Sequence, residues 1–140
     1  MHTTRLLEQL RQHQDSVLSI MDEAEPMLRD PAQRDVAGLA RARWAMVRAL
    51  ATYQLFKHNQ VFDPVVQGRL VGQGERAARM KQACIAVGDE FRGYVGKWSG
   101  TDVGGAWETY QPAALAMIAR LRTHVARERA EIAILLRQAA

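Results

Sequence analysis

The sequence predicts an all-α protein folded as an antiparallel up-down four-helix bundle. Apolar residues recur at three- and four-residue steps in four separate segments, which is the period of an amphipathic helix. Strong helix formers dominate a composition that is 48% hydrophobic and only 6% aromatic, which argues against a β-sandwich. A chain of 140 residues is long enough for one hydrophobic core, so we expect a single domain over residues 1–140.

The first two predicted helices are separated by Asp30-Pro31, which either breaks the chain or caps the next helix with proline at its first position. The first helix is predicted from about residue 4 to 28. The second is predicted from about residue 33 to 66, with Asp63-Pro64 disturbing its last turn. The predicted core stripe of the first helix is Leu6, Leu10, His13, Val17, Ile20, Ala24 and Met27, and that of the second is Val36, Ala40, Trp44 or Arg43, Val47, Leu50, Gln54, His58, Val61 and Val65.

The last two predicted helices are bounded by glycines and capping residues. Three glycines mark the second connection, and the third offers a glycine C-cap followed by Thr101 or Asp102 as the next N-cap. Breaks are therefore predicted near residues 29–34, 67–74 and 99–104, and such short connections favour antiparallel neighbours. The predicted core stripe of the third helix is Ala77, Met80, Cys84, Val87, Phe91, Tyr94 and Trp98, and that of the fourth is Tyr110, Ala114, Met117, Leu121, His124, Glu128, Ile132 and Leu135.

Composition and charge exclude several classes of protein. The formal net charge of +4 is modest, and the basic residues lie among apolar positions rather than in a patch with aromatics, so we expect no nucleic-acid partner. No apolar run is long enough to span a membrane, and the N-terminal segment becomes polar too soon for a signal peptide, so we expect a cytoplasmic protein. The single cysteine excludes a disulfide framework and a zinc site of the Cys-x-x-Cys type.

Polar residues interrupt the apolar stripes of all four predicted helices. They are His13, Gln54, His58, Cys84, His124 and Glu128. Burying an imidazole, an amide or a carboxylate costs several kcal/mol unless each group finds a partner or a metal. Counted from the connecting turns at about 1.5 Å per residue, these positions agree in level within one helical turn. The sequence therefore predicts a polar cluster at one level of the core, in which His13, His58, His124 and Glu128 converge.

The segments that carry these residues resemble the hemerythrin-like, or HHE cation-binding, four-helix bundles. The similarity covers nearly the whole chain, in the segments LLEQLRQHQDSVLSIMDEAE, QLFKHNQVFDPVV, MKQACIAVGDEFRGYVGKWS and LRTHVARERAEIAILL. The resemblance implies a four-helix fold with a carboxylate-bridged di-iron centre between the helices. His13, His124 and Glu128 match the ligand types of that family's first and fourth helices.

Other ligand positions depart from the family's pattern. Gln54 stands where the second helix should present His, and His58 stands where a bridging carboxylate is expected. Cys84 replaces the histidine of the third helix, and Gly88 replaces its partner one turn later. A di-iron oxygen carrier does not fit this set. The remaining set of His13, His58, His124 and Glu128 predicts a mononuclear site, with Cys84 as an additional thiolate. Such ligands suit iron or zinc.

The resemblance and the residues together predict a protein that binds a cation or a small ligand in sensing, storage or redox response, and not an enzyme. The alternative is a metal-free helical bundle with a hydrogen-bonded polar core, acting as a protein-interaction module or a homodimer. On that view His124 and Glu128 form an ordinary helix pair one turn apart. Cys84 is expected to be a small buried core residue with slow thiol reactivity.

Overall fold

Four long helical segments pack side by side in the computed structural model, which describes residues 2–68 and 73–139. They are α1 (His2–Arg29), a second segment made of α2 (Val36–Phe56), a π-helical turn (Lys57–Phe62) and α3 (Asp63–Val66), then α4 (Gln73–Ser99) and α5 (Trp107–Ala139). The described residues contain no β-strand. The prediction of an all-α four-helix bundle is confirmed.

Side-chain contacts show that neighbouring helices run in opposite directions. Between α1 and α5, Arg122 bonds to Asp22 and Arg129 bonds to Asp15, so residue numbers rise along one helix as they fall along the other. The same reversal relates the second segment to α4, and α4 to α5. The helices lie in the cyclic order α1, α2, α4, α5, with the core between them.

The connection between α1 and α2 follows the predicted Asp-Pro signal. Asp30 caps a 3₁₀ turn over Pro31–Gln33 by accepting a hydrogen bond from the Ala32 N–H at 2.9 Å. Asp35 then caps α2, because its side chain accepts from the Gly38 N–H at 2.8 Å. The first predicted break is confirmed, and Asp30-Pro31 acts as a cap.

The other two connections agree less closely with the predicted breaks. The second segment ends in a turn at Gln67–Gly68, and residues 69–72 of the predicted break lie outside the described residues. The third connection is longer than predicted, because α5 begins only at Trp107. Thr101 and Asp102 therefore do not stand at the start of that helix. Between α4 and α5 the chain forms a turn in which the Ala106 N–H donates to the backbone carbonyls of Asp102 and Val103.

The predicted disturbance at Asp63-Pro64 takes the form of the π-helical turn. Proline has no N–H to donate, and its ring clashes with the carbonyl four residues earlier in a regular α-helix. The turn accommodates one extra residue before Pro64, and the Asp63 N–H donates to the carbonyl of His58, five residues back. Lys57 and His58, which bear on the candidate site, lie inside this turn.

The core faces of α4 and α5 follow the predicted stripes closely, whereas those of α1 and α2 do not. On α2, Trp44 is 49% exposed and Arg43 is buried in its place. The stripe that reaches the core is Leu39, Arg43, Met46, Leu50 and Tyr53. None of the described helices combines the length and the apolar character that a membrane span needs.

Candidate metal centre

Three potential metal ligands converge in the interior of the bundle. Cys84 lies on α4, and His124 and Glu128 lie one turn apart on α5, where side chains four residues apart share a face. One donor atom from each residue lies within 4.8 Å of the other two, and all three side chains are buried. The described residues therefore include a compact set of one sulfur, one imidazole and one carboxylate donor.

The Glu128 carboxylate is the hub of the hydrogen bonding here. Its Oε1 atom accepts from the Tyr53 hydroxyl at 2.8 Å and from Lys57 Nζ at 2.7 Å. The same oxygen lies 3.1 Å from His124 Nε2. Its Oε2 atom accepts a second hydrogen bond from Lys57 Nζ at 2.9 Å. Lys57 is only 1% exposed, so this is a buried ion pair that neutralises the carboxylate.

Further contacts fix the groups that bond to Glu128, and together Gln14, Tyr53, Lys57, His124 and Glu128 form a buried polar layer. Gln14 Nε2 donates to the Tyr53 hydroxyl at 3.0 Å, and Gln14 Oε1 accepts from Arg129 Nε at 2.8 Å. Lys57 Nζ also lies 3.8 Å from the centroid of the Tyr53 ring, within range of a cation–π interaction. Each buried group of this layer thus has a partner, which makes the layer rigid.

The surroundings shift the protonation equilibria of the layer. Burial alone would raise the pKa of Glu128, but the His124 hydrogen bond and the Lys57 charge outweigh it, so the pKa lies below its ordinary value. Burial works against a charged His124, but hydrogen bonds with Cys84 and Glu128 raise its pKa above the ordinary value. Burial and the Glu128 charge raise the pKa of Tyr53, which therefore stays a donor.

The structure brings together only part of the predicted set. Cys84, His124 and Glu128 meet, but His13 and His58 do not join them. The predicted position of His13 on the core stripe is wrong, since His13 is half-buried and packs against Phe56 with ring centroids 4.8 Å apart. The neighbouring Gln14 is the residue that points into the core.

His58 is displaced from the cluster in the same way. It is half-buried beside Phe62, and Lys57 faces the core instead. The Nε2 atom of His58 is buried and has no hydrogen-bond partner among the described residues. Burial lowers the pKa of His58, and the charges of Lys81 and Lys57 lower it further. His58 is thus a neutral imidazole beside the cluster rather than one of its members.

Gln54 has a bracing role between two helices. Its Nε2 atom donates to the backbone carbonyl of Cys84 at 3.2 Å. A Cβ atom at Gly88 would clash with that nitrogen, so the missing side chain of Gly88 makes room for the Gln54 amide. Gln54 therefore fixes the backbone that carries Cys84 and does not itself enter the cluster.

Sequence reasoning missed three members of the polar layer, namely Gln14, Tyr53 and Lys57. A signal for two of them was present, because Leu50, Tyr53 and Lys57 follow one another at three- and four-residue steps and make a stripe as regular as the one predicted. A lysine is nearly always a surface residue unless it is paired, so its type gave no hint of burial. Its partner Glu128 lies 71 residues further along the chain.

Comparison of the chain with protein-family models, with curated proteins and with solved structures finds no match. The site itself can be tested against the di-iron centre that the sequence resemblance implies. A carboxylate-bridged iron pair needs bridging carboxylates, and Glu128 is the only one in the cluster found among the described residues. The residues do not fit a di-iron centre. They do supply three donor atoms that could bind a single metal ion.

Proposed function

We propose that the protein is a cation-binding helical bundle of the hemerythrin-like kind, reduced to a site for one transition-metal ion. The ligands are Cys84, His124 and Glu128. The observation that carries the proposal is the convergence of three different donor atoms within 4.8 Å in a buried part of the core. Burying such polar groups is costly, so their burial together indicates that they share a role.

The donor chemistry selects the class of ion. A thiolate, an imidazole and a carboxylate suit Zn²⁺ or Fe²⁺ and are poor ligands for Ca²⁺ or Mg²⁺, which prefer oxygen alone. Tetrahedral zinc with these ligands has donor atoms about 3.5 Å apart. The donor atoms of the cluster lie up to 4.8 Å apart, so a small movement of the side chains brings them to this separation.

Lys57 gives the site a reversible character. Both oxygens of Glu128 are bonded to its ammonium group, so an incoming cation must take the carboxylate from the lysine. Before a metal arrives, the Lys57 ammonium neutralises the Glu128 carboxylate. Metal binding therefore releases a proton from the Lys57 ammonium or moves that group away from Glu128, and this competition supports a role in sensing or redox response. We place the function in binding rather than in catalysis.

A second candidate function is favoured by the same lysine. If the Lys57 ammonium is the permanent cation of the site, then the protein is a metal-free bundle whose buried ion pair specifies the packing of its helices. The function would then lie on the surface. Trp44 and Leu55 on α2 are both exposed and lie on one side of that helix, where they could contact a second copy of the chain.

Metal titration separates the two candidates. Protein purified without a histidine tag and stripped with EDTA is titrated with Co²⁺, whose visible absorption reports tetrahedral coordination and thiolate ligation. We expect saturation at one ion per chain. Lys57→Met should bind at least about tenfold more tightly, because the competing buried charge is gone. His124→Asn should weaken binding at least about 100-fold, whereas the matched change His13→Asn outside the cluster should leave the affinity unchanged.

The contrary results are equally specific. If neither the wild type nor Lys57→Met binds Co²⁺ or Zn²⁺ saturably, the metal-binding proposal is wrong and the metal-free bundle is the better description of the protein. If His13→Asn weakens binding as much as His124→Asn, the ligand set is wrong and the cluster seen in the bundle is not the metal site.

A further inference from the structure

A second buried cation lies at the other end of the bundle core. Arg43 on α2 is only 8% exposed, and its guanidinium points towards Tyr110 on α5. Arginine keeps its charge under all conditions relevant to proteins. A buried charge is costly unless it is paired with an opposite charge.

Arg43 has no such pair among the described residues. The ion pairs found there do not include it, so no carboxylate oxygen of those residues lies within 4 Å of its guanidinium. Its contact with a polar group is a hydrogen bond from Nη1 to the Tyr110 hydroxyl at 3.3 Å. Its Nε atom is buried and has no partner. Lys57 at the other end of the core has Glu128, whereas Arg43 has only the neutral hydroxyl and ring of Tyr110 as partners among the described residues.

The hydroxyl of Tyr110 is the polar group beside this guanidinium. It accepts from Arg43 and lies 3.3 Å from the Tyr94 hydroxyl, so the two tyrosines share a hydrogen bond. The Tyr110 ring also faces the guanidinium, whose central carbon lies 5.9 Å from the ring centroid. Trp98 meets that ring edge-on at a centroid distance of 5.1 Å and holds it in place. The Arg43 charge thus has a fixed aromatic neighbour but no carboxylate acceptor among the described residues.

Arg43 and Tyr110 line a cavity of about 50 Å³ whose other walls are largely apolar. The walls include Leu28, Met46, Phe91, Ala114 and Leu121. Since one water molecule needs about 10–15 Å³ of such a cavity, there is room for about three to five non-hydrogen atoms. None of the residues that line it belongs to the Cys84, His124 and Glu128 cluster.

We propose that this cavity is a binding site for a small organic carboxylate with a short aliphatic tail. The carboxylate group supplies the anion that Arg43 lacks, since a guanidinium matches the planar geometry of a carboxylate. The aliphatic tail occupies the apolar part of the cavity. A neutral hydrocarbon would leave the guanidinium unpaired, and a tetrahedral inorganic anion would leave charged oxygens against apolar walls. Acetate and propionate have the size that the volume permits.

The proposal is tested with propionate as the probe, by calorimetric titration and by the shift in melting temperature at constant ionic strength. Propionate should bind saturably in the millimolar range, as expected for a ligand of about five non-hydrogen atoms. Propionamide, which has the same shape without the charge, and inorganic phosphate should not bind. Arg43→Met should weaken propionate binding at least about tenfold. The matched control is Arg48→Met, which removes an exposed arginine of the same helix and should leave the affinity unchanged.

A variant that keeps the charge covers the case in which Arg43→Met does not fold. Ala42 lines the cavity and is only partly buried, so Ala42→Leu reduces the space without removing a polar group. It should weaken propionate binding more than acetate binding. The proposal is overturned if the wild type does not bind propionate saturably, if propionamide binds as well as propionate, or if Arg43→Met binds propionate with unchanged affinity. It is also overturned if Ala42→Leu binds both acids as the wild type does.

Discussion

The two ends of the bundle core handle a buried positive charge in opposite ways. At one end the Lys57 ammonium is bonded to both oxygens of Glu128, and Tyr53, His124 and Gln14 complete the layer. At the other end the Arg43 guanidinium contacts a tyrosine hydroxyl and borders a cavity. At the first end the charges are paired, so a metal ion can bind Glu128 only by displacing Lys57. At the second end Arg43 has no paired anion among the described residues, so an anion can bind without displacing another group.

The largest expected effect on the free energy of unfolding comes from removing the negative charge of Glu128. Glu128→Gln leaves the Lys57 ammonium buried without an opposite charge, which should lower the free energy of unfolding by about 3–5 kcal/mol in urea denaturation. The matched change Glu131→Gln on the exposed face of α5 should alter it by less than about 0.5 kcal/mol.

A double variant sharpens the interpretation of that loss. Lys57→Met combined with Glu128→Gln removes both charges and should recover most of the stability lost in Glu128→Gln alone. Equal instability of the single and double variants would mean that packing rather than charge balance holds this end together.

The next effect concerns the thiol of Cys84. Cys84 is 0% exposed, so Cys84→Ser places a hydroxyl in a buried position and should lower the free energy of unfolding by about 1–2 kcal/mol. The same change at its exposed neighbour, Ala83→Ser, should cost less than about 0.5 kcal/mol. A thiol reagent should label the native protein far more slowly than the unfolded protein. Labelling at equal rates would show that this face of α4 is not in the core.

A smaller effect is expected from pH. The pKa of His124 is raised in the folded chain, so its contribution to stability is complete below the unfolded pKa of about 6.5 and is lost as the pH rises through the folded pKa. In metal-free protein, the difference in free energy of unfolding between the wild type and His124→Asn should therefore shrink from about pH 6 to about pH 9. His13 and His58 titrate in both proteins and cancel in the difference. A difference that grows over this range would contradict the assigned hydrogen bonds.

The smallest effect is expected from removing the charge of Arg43. Arg43→Met removes an unpaired buried charge and one hydrogen bond to a neutral group, and these changes oppose each other. The free energy of unfolding should change by less than about 1 kcal/mol without added carboxylate. A loss as large as that of Glu128→Gln would show that Arg43 has a charged partner and that the two ends do not differ.

The sequence was sufficient to predict the number of helices and the inward faces of the last two. Around His124 and Glu128 on α5, charged residues border the apolar stripe, and Cys84 continues the stripe of Met80 and Val87 on α4, so the spacing predicted one orientation for these three residues. Their positions in the core followed directly from helical spacing.

The inward faces of α1 and α2 could not be predicted from spacing. Positions 13 and 14 both connect Leu10 to Val17 at three- and four-residue steps, and the period of 3.6 residues allows either. On α2, apolar residues surround the helix so completely that Trp44 and Arg43 were equally compatible with a core stripe. The face is decided by Lys57 reaching Glu128, a contact between residues distant in sequence that no local pattern records.

The proposed binding of one transition-metal ion by Cys84, His124 and Glu128 is tested by X-ray absorption at the zinc edge of zinc-loaded, gel-filtered protein, because sulfur and nitrogen or oxygen ligands differ in bond length. We expect one sulfur at about 2.3 Å, with the remaining ligands nitrogen or oxygen at about 2.0–2.2 Å, and loss of the sulfur signal in Cys84→Ser. A zinc shell without sulfur, or protein that retains no zinc after gel filtration, would contradict the claim.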